Sequence, residues 1–174
     1  EEIADITLMV AKEVRNFNIE PRIAMLSYSN FGSSDTEEAK MMAEATKIVK
    51  QRNPSLIVDG EMQGMLAFNK DILKENYPFS ELVDVDVNVL IFPNLTAGNV
   101  AYHLLKEIGG VDIIGPILLG LKKPVNVLQL GSGVRNIINM ATVAVVDAQL
   151  KSRVDTNTEV QRSSWWKRLK KRKK

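Results

Sequence analysis

Along the first half of the chain, segments with apolar residues at helical spacing alternate with short runs of consecutive apolar residues. Residues 1–17 carry apolar side chains at helical spacing, and residues 22–28 and 56–58 are short apolar runs. A short run bounded by turn residues is typical of a strand covered on both faces. Helical repeats follow each run, around residues 41–49 and 62–73. Alternating strands and helices predict an α/β fold with a mainly parallel sheet and right-handed crossovers.

The stretch 88–99, NVLIFPNLTAGN, shows this organisation clearly. It predicts a buried strand over 89–92, an end at Pro93-Asn94, a small polar loop that contains Gly98, and then a helix. In open α/β sheets, ligands bind beyond the carboxyl ends of the strands. The following helix directs free N–H groups and a partial positive charge towards that position. The stretch therefore predicts a binding edge.

The second half continues with one more strand and one more helix. Residues 114–125 are apolar but interrupted by Gly and Pro, which indicates irregular structure, and residues 125–128 predict the last strand. Gly131-Ser132-Gly133 opens a final amphipathic helix that runs to about residue 151. We expect a domain over 1–151 and a mobile polar and basic tail over 152–174.

Composition and charge narrow the possible functions. The chain of 174 residues has no Cys and a single histidine, His103, which excludes a disulfide framework, a thiolate site and a multi-histidine metal site. No apolar run approaches about 20 residues and no secretory signal is present, which predicts a cytoplasmic protein without a membrane partner. Seven of the last eight residues are basic, and the rest carries 16 Lys and Arg against 21 Asp and Glu. This acidic body gives no sign of a nucleic-acid surface.

The loop SYSNFGSS, residues 27–34, is the first candidate for chemistry. It brings several hydroxyls and Gly32 to the start of a helix, an arrangement that suits phosphate or another anion. The alternative is simple helix capping, with Ser34 and Glu37 as a capping box. The Gly131-Ser132-Gly133 segment has the same form but is weaker evidence.

Other polar residues have two interpretations each. Asp59 and Glu61 could act as acid and base or hold a cation, but we favour a solvated turn in which Glu61 stabilises the next helix N-terminus. We expect His103 to be packed or solvated. The tail WWKRLKKRKK could dock on an anionic surface, although a mobile tail is the favoured interpretation. Methionines at helical spacing are expected in the core: Met41, Met42, Met62 and Met65.

Five motifs in order carry a family resemblance that covers residues 1–150. They closely resemble the second half of phosphate acetyltransferases, and their wording is most similar to the acetyltransferase-like module that ends the hybrid malic enzymes. The motifs are PRIAMLSYSNFGSS (21–34), VDGEMQ (58–63), IFPNLTAGN (91–99), IGPILLGLKKPVNVL (114–128) and IINMATVAVVDAQ (137–149).

This resemblance implies one lobe of a two-lobed fold of three-layer α/β/α type. In the family, acetyl phosphate and coenzyme A meet in the cleft between the lobes. The other lobe would precede Glu1, and the lack of an initiating Met agrees with a chain that is part of a longer one. The resemblance implies that these residues bind acetyl-CoA or phosphate: Ser29, Gly32, Ser33, Asn94, Gly98, Asn99, Gly131 and Ser132.

The chain departs from the family at the reactive positions. Active members have Ser-Arg-Gly after the last strand and an Asp five residues after the Gly, where this chain has Gln129, Leu130, Gly131 and Asn136. The Arg would bind phosphate and the Asp would take the thiol proton, and neither Leu nor Asn has that chemistry. Met65 also stands where the family tends to carry an Asp. No catalytic residue is therefore expected in this chain.

Retained binding residues without reactive ones favour a regulatory role. By resemblance, the parent protein is an NADP-dependent malic enzyme that decarboxylates malate to pyruvate, and this module binds acetyl-CoA as an effector. No cofactor is expected in this chain, since NADP and a divalent metal, Mg or Mn, belong to the parent malic domain. Expected partners are acetyl-CoA, the malic-enzyme domain in cis and a second copy in a homodimer or larger homo-oligomer. The alternatives are an active phosphate acetyltransferase and a structural oligomerisation module.

Overall fold

A computed structural model describes residues 1–110, 113–128 and 130–171, with the backbone alone for 153–171. The chain divides into two compact units, Glu1–Val111 and Asp112–Lys174, and each is described by itself. Among the described residues, every helix is too short or too polar to cross a lipid bilayer.

The first unit is a parallel three-stranded sheet with helices around it. The strand order is β2-β1-β3, and β1 pairs with both neighbours in parallel. This confirms the predicted α/β fold and the parallel sheet. In chain order the elements are α1 (Glu2–Asn16), β1 (Arg22–Leu26), α2 (Glu37–Arg52), β2 (Ile57–Met62), α3 (Gly64–Phe68), α4 (Lys70–Asn76), β3 (Val89–Ile91) and α5 (Leu95–Gly109).

Alternate residues of β1 belong to two separate hydrophobic clusters. Ile23 and Met25 pack with buried residues of α1 and α2, whereas Ala24 and Leu26 pack with buried residues of α3 and α4. Successive side chains of a strand point to opposite faces of the sheet, so the sheet is covered on both faces. The result is the expected three-layer α/β/α arrangement.

Several element boundaries differ from the sequence prediction. The second strand does not end at Val58 but continues to Met62, because its two acidic side chains find partners inside the protein. The single helix predicted after it is two short helices, α3 and α4. Of the four methionines expected in the core, Met42 and Met62 are buried, whereas Met41 and Met65 are exposed and that part of the prediction is wrong.

The predicted capping box at Ser34 and Glu37 is also wrong. The N-cap of α2 is Thr36, and its side chain makes no capping hydrogen bond. Ser34 instead donates its N–H to the hydroxyl oxygen of Ser29 at 3.1 Å, within the preceding loop. The loop is therefore organised from inside the protein and not by the helix that follows it.

The second unit has one long helix, α6 (Val134–Lys171). In the described part of this unit, residues 125–128 form no strand, so the predicted fourth parallel strand is wrong; Asn126 makes only an isolated antiparallel bridge with Ile117. The Asn126 side-chain amide donates to the carbonyl of Met140 in α6 at 3.1 Å, which holds this segment to the helix. The backbone of α6 continues beyond residue 151, so the helix is longer than predicted, and the domain boundary at 151 stays a prediction.

Candidate functional site

The loop after β1 is folded around the side chain of Glu61. Oε1 of Glu61 accepts a hydrogen bond from the Ser29 hydroxyl at 2.8 Å and another from the Gly32 N–H at 2.7 Å. Its backbone carbonyl accepts the N–H of Phe31 at 2.7 Å. Glu61 and Ser29 are only 2% and 1% exposed. One residue of β2 thus holds three residues of the loop: Ser29, Phe31 and Gly32.

From Ser29 to Ser34, each backbone N–H of this loop has an acceptor within the protein. The N–H of Asn30 donates to the Ser33 hydroxyl oxygen at 2.9 Å, and the N–H of Ser33 donates to the Asn30 carbonyl at 3.0 Å. The remaining donors are used in the same way: Ser29 to Ser27 Oγ, Phe31 to Glu61 O, Gly32 to Glu61 Oε1 and Ser34 to Ser29 Oγ.

This hydrogen-bond pattern changes two interpretations of the sequence. An anion-binding nest needs N–H groups that are free to face the ligand, and in residues 29–34 they are occupied, so the loop is not an open nest. The favoured interpretation of Asp59 and Glu61 as a solvated turn is wrong, because both are strand residues and buried, at 6% and 2% exposure. Contact of Ser29, Gly32 and Ser33 with a ligand stays a prediction, and Ser33 is the exposed side chain among them.

Two further contacts tie the loop to the start of α3. The Asn30 side-chain oxygen accepts the N–H of Gln63 at 2.7 Å, and the Gln63 side-chain amide donates to the Tyr28 carbonyl at 2.7 Å. Phe31 and Gly32 both have left-handed backbone conformations, with φ of 47° and 87°. A side chain at positive φ is strained, so the contacts that surround Phe31 must hold it in place.

The other carboxyl group of β2, Asp59, belongs to a separate ion-pair network. Lys50 of α2 donates to Asp59 at 2.8 Å and lies 3.1 Å from a carboxyl oxygen of Glu81, and the Glu81 N–H donates to Asp59 at 3.0 Å. Burial lowers the pKa of Lys50, but its hydrogen bonds and Coulombic attraction to Asp59 and Glu81 outweigh burial and raise it. An open cavity of about 390 Å³ lies beside Lys50, Asp59 and Gly60.

Three aromatic rings gather next to the loop. The ring of Phe31 lies 4.9 Å from that of Tyr77 and 5.1 Å from that of Phe79, and the Tyr77 and Phe79 rings are 6.1 Å apart. Phe31 and Tyr77 are partly buried against the core on the α3 and α4 face, whereas Phe79 is 67% exposed. The cluster therefore has an anchored side and a solvent-facing side.

The predicted polar loop before α5 is helix instead. Asn94 is the N-cap of α5, with its side-chain oxygen accepting the Ala97 N–H at 2.9 Å. Its amide also donates to Glu38 of α2 at 3.2 Å. Gly98 and Asn99 lie inside the helix, where the Gly98 backbone faces the ring of Phe92 and Asn99 is exposed. The capping role of Asn94 is structural, and ligand contact by these three residues stays a prediction.

In the second unit, the predicted start of the last helix is confirmed. Gly131 has a φ of 88°, and α6 begins at Val134, directly after Gly133. Leu130 is fully exposed. The side-chain oxygen of Asn136 is buried and has no hydrogen-bond partner among the described residues. Ser132 is partly buried, and Gln129 lies outside the described residues.

In the described part of the chain, neither a metal site nor His103 adds a further candidate functional site. No group of three or more His, Cys, Asp or Glu side chains is placed to hold a metal ion there. His103 is exposed on α5, with its ring 5.1 Å from that of Tyr102.

Sequence reasoning missed the central role of Glu61 and the aromatic cluster. The sequence did carry a signal that Glu61 lies in a strand. Val58 and Met62 flank the acidic residues at strand spacing and extend the apolar run. The cluster joins Phe31 to residues more than forty positions later in the chain, and no local pattern could have predicted that contact.

Comparisons of this chain with known proteins all point to the same family. Residues 1–145 match the family model described as phosphate acetyl/butaryl transferase. An NADP-dependent malic enzyme from Haemophilus influenzae is 49% identical over 149 residues, which cover 86% of this chain and 20% of that enzyme. A phosphate acetyltransferase from Bacillus subtilis is 38% identical over 148 residues, covering 85% of this chain and 46% of that protein.

A solved structure shows the same fold. The phosphotransacetylase from Streptococcus pyogenes superposes with a TM-score of 0.79 at 39% identity, over 84% of this chain and 44% of that one. The chain thus spans about a fifth of the malic enzymes that it matches and less than half of the acetyltransferases.

Proposed function

Because the chain belongs to the phosphate acetyl/butaryl transferase family, we propose that it is an acetyl-CoA-binding regulatory module of a malic enzyme that does not itself transfer acetyl groups. The malic enzyme would be NADP-dependent and would decarboxylate malate to pyruvate. NADP and a divalent metal, Mg or Mn, would be bound by its malic domain, in cis to this module.

The relatives support the connection to a malic enzyme. The NADP-dependent malic enzyme of H. influenzae is 49% identical to this chain, whereas the phosphate acetyltransferase of B. subtilis is 38% identical over nearly the same length. The matched part of the malic enzyme is only a fifth of its length, which leaves ample chain for a separate catalytic domain.

The single observation that carries the proposal is the chemistry at Leu130 and Asn136. Acyl transfer between a thioester and phosphate needs a cation that stabilises the developing negative charge and a base that takes the thiol proton. Leu130, at the family's Arg position, is fully exposed and offers neither charge nor donor. Asn136, at the family's Asp position, is an amide without useful basicity, and no partner for its buried oxygen is found among the described residues.

Binding without turnover is useful for regulation through linkage. An effector that binds one arrangement of an oligomer more tightly shifts the population towards that arrangement. We propose that acetyl-CoA acts in this way and inhibits the malic domain, within a homodimer or larger homo-oligomer.

Two measurements test the proposal. A coupled assay should detect no acetyl phosphate formed from acetyl-CoA and phosphate by this chain, with the B. subtilis phosphate acetyltransferase as the positive control. Calorimetry should detect acetyl-CoA binding to the protein. Robust turnover would contradict the claim that transfer chemistry is lost, and absence of binding would favour a purely structural oligomerisation module.

An active phosphate acetyltransferase is the second candidate. It is favoured by the fold shared with a phosphotransacetylase and by relatives named phosphate acetyltransferase at 38% and 39% identity. The double variant Leu130→Arg, Asn136→Asp restores the two missing groups. If the parent chain is inactive and this variant forms acetyl phosphate, the result would support the hypothesis that the chain lost its reactive groups but kept its binding site.

A further inference from the structure

The three rings of Phe31, Tyr77 and Phe79 form what we call the aromatic surface. Edge-to-face and tilted contacts at centroid distances of 4.9 to 6.1 Å are within the favourable range for aromatic pairs. Phe31 and Tyr77 pack on the buried core, so the inner side of the surface is supported. The outer ring, Phe79, is 67% exposed. A large exposed ring on a supported base offers apolar contact area to a ligand.

The aromatic surface is fixed to the candidate loop by Phe31. This residue has a φ of 47°, and its N–H donates to the Glu61 carbonyl at 2.7 Å. The loop lies at the carboxyl end of β1, the part of an α/β sheet where ligands bind. Surface and loop therefore belong to the same edge of the first unit.

The loop disfavours a phosphate at this position. Its N–H groups from Ser29 to Ser34 already donate to protein acceptors. One of those acceptors is the carboxyl group of Glu61, which would repel an anion. A ligand segment that lies here should be uncharged and should bury apolar area.

We propose that the aromatic surface binds the acylated pantetheine arm of acetyl-CoA, with Phe79 as the contact residue. This inference rests on the proposed acetyl-CoA binding. The acyl-pantetheine arm is the uncharged part of a coenzyme A thioester, whereas the nucleotide half carries all of its phosphates. The arm contacts the face of the aromatic surface, and the phosphates lie away from the loop.

The test is calorimetry on the full 174-residue chain with three probes: acetyl-CoA, S-acetyl-pantetheine, and adenosine 3′,5′-bisphosphate (adenosine bisphosphate below) as a charged fragment of the nucleotide half. The variant Phe79→Ala removes the exposed ring. Its matched control is Phe68→Ala, because Phe68 is 68% exposed and its ring makes none of the contacts that define the aromatic surface. Thermal unfolding of both variants checks that they are folded. If Phe79→Ala is not folded, Phe79→Leu, which keeps apolar volume, replaces it as the test variant.

Phe79→Ala should weaken acetyl-CoA and S-acetyl-pantetheine by about tenfold and leave adenosine bisphosphate unchanged. Tenfold is about 1.4 kcal/mol, which burial of about 55 Å² of apolar area supplies. Phe68→Ala should change none of the three affinities. Equal binding by Phe79→Ala and the parent chain, or a loss confined to adenosine bisphosphate, overturns the inference while the proposed function stands. No acetyl-CoA binding by the parent chain overturns both.

Discussion

The Ser29 hydroxyl donates a 2.8 Å hydrogen bond to Oε1 of Glu61, and the two residues are almost completely buried. Ser29 follows β1 and Glu61 lies in β2, so this bond joins the loop of one strand to its neighbour. The same oxygen also holds the Gly32 N–H. Glu61 therefore acts as an internal ligand for the loop, in a position that sequence reasoning assigned to an external anion.

Removal of the Glu61 carboxyl group should destabilise the first unit. Glu61→Ala leaves the Ser29 hydroxyl and the Gly32 N–H without their acceptor, and hydrogen bonds to charged groups contribute about 1.5–3 kcal/mol each. We expect a loss of about 3 kcal/mol in the free energy of unfolding, measured by urea denaturation. Glu61→Gln keeps a carbonyl acceptor and should lose about 1 kcal/mol.

The matched control for this pair is Glu75→Ala. Glu75 is an exposed residue of α4, and surface substitutions usually stay within about 0.5 kcal/mol. If Glu61→Ala were no less stable than Glu75→Ala, the carboxyl group would not organise the loop.

Gly60→Ala should be severely destabilising. Gly60 has a φ of 138°, which L side chains rarely adopt, and a Cβ there would lie 2.6 Å from the carbonyl oxygen of Met25. Since β1 and β2 are paired at this point, the backbone cannot move away without loss of strand pairing. We expect at least about 3 kcal/mol of destabilisation or failure to fold, measured by thermal unfolding.

Gly64→Ala is the control for that substitution. Gly64 begins α3, has no unusual φ, and a Cβ there would meet no atom within 4 Å. Alanine at a compatible position restricts the unfolded chain, so we expect a gain of about 0.4–1 kcal/mol. Equal effects of the two substitutions would argue against a close approach of the strands at Gly60.

Asn94→Ala should destabilise α5 by about 1 kcal/mol. The Asn94 side chain accepts the Ala97 N–H at 2.9 Å, and loss of such an N-cap costs about that amount. Helix content and urea denaturation measure the change. Asn99→Ala is the control, because Asn99 is exposed inside the same helix and alanine is the better helix former. A loss at Asn99 as large as that at Asn94 would contradict the capping role.

The Lys50 network should make stability depend on alkaline pH. Burial by itself lowers the pKa of Lys50, but hydrogen bonds and ion pairing with Asp59 and Glu81 together outweigh burial and raise that pKa above its ordinary value of 10.5 in the folded state. The folded state thus holds the Lys50 proton more tightly than the unfolded state does. The stabilisation is fully present below pH 10.5 and is lost as pH rises through the folded-state pKa.

Comparison of the parent chain with Lys50→Met measures this dependence. The difference in their free energies of unfolding should be constant below pH 10.5 and shrink above it. Lys47→Met serves as the control, since Lys47 lies on the same helix with an exposed ammonium group and pairs only loosely with Glu44, at 3.7 Å. A difference for Lys50→Met that does not change with pH would contradict the ion-pair explanation.

The sequence by itself determined the parallel α/β fold, because hydrophobic periodicity is a local property that each strand and helix carries. Residues 23–26 form a short unbroken apolar run, and such a run is typical of a strand with two covered faces. Motif order also indicated the family, which the family match confirms. The loss of reactive groups at Leu130 and Asn136 stays a prediction. The start of the last helix after Gly133 followed from glycine placement.

Only the tertiary structure decided what the polar residues do. Whether Glu61 lies in a solvated turn or in a strand depends on which donors reach it, and those donors come from a loop that lies about thirty residues earlier in the chain. The sequence of the same loop is typical of an open anion nest, but in the folded chain its N–H groups donate to protein acceptors. Residues 125–128 have strand-like side chains but do not pair as a parallel strand. Hydrogen-bond partners that are distant in sequence leave no local pattern, which is why these features required the folded chain.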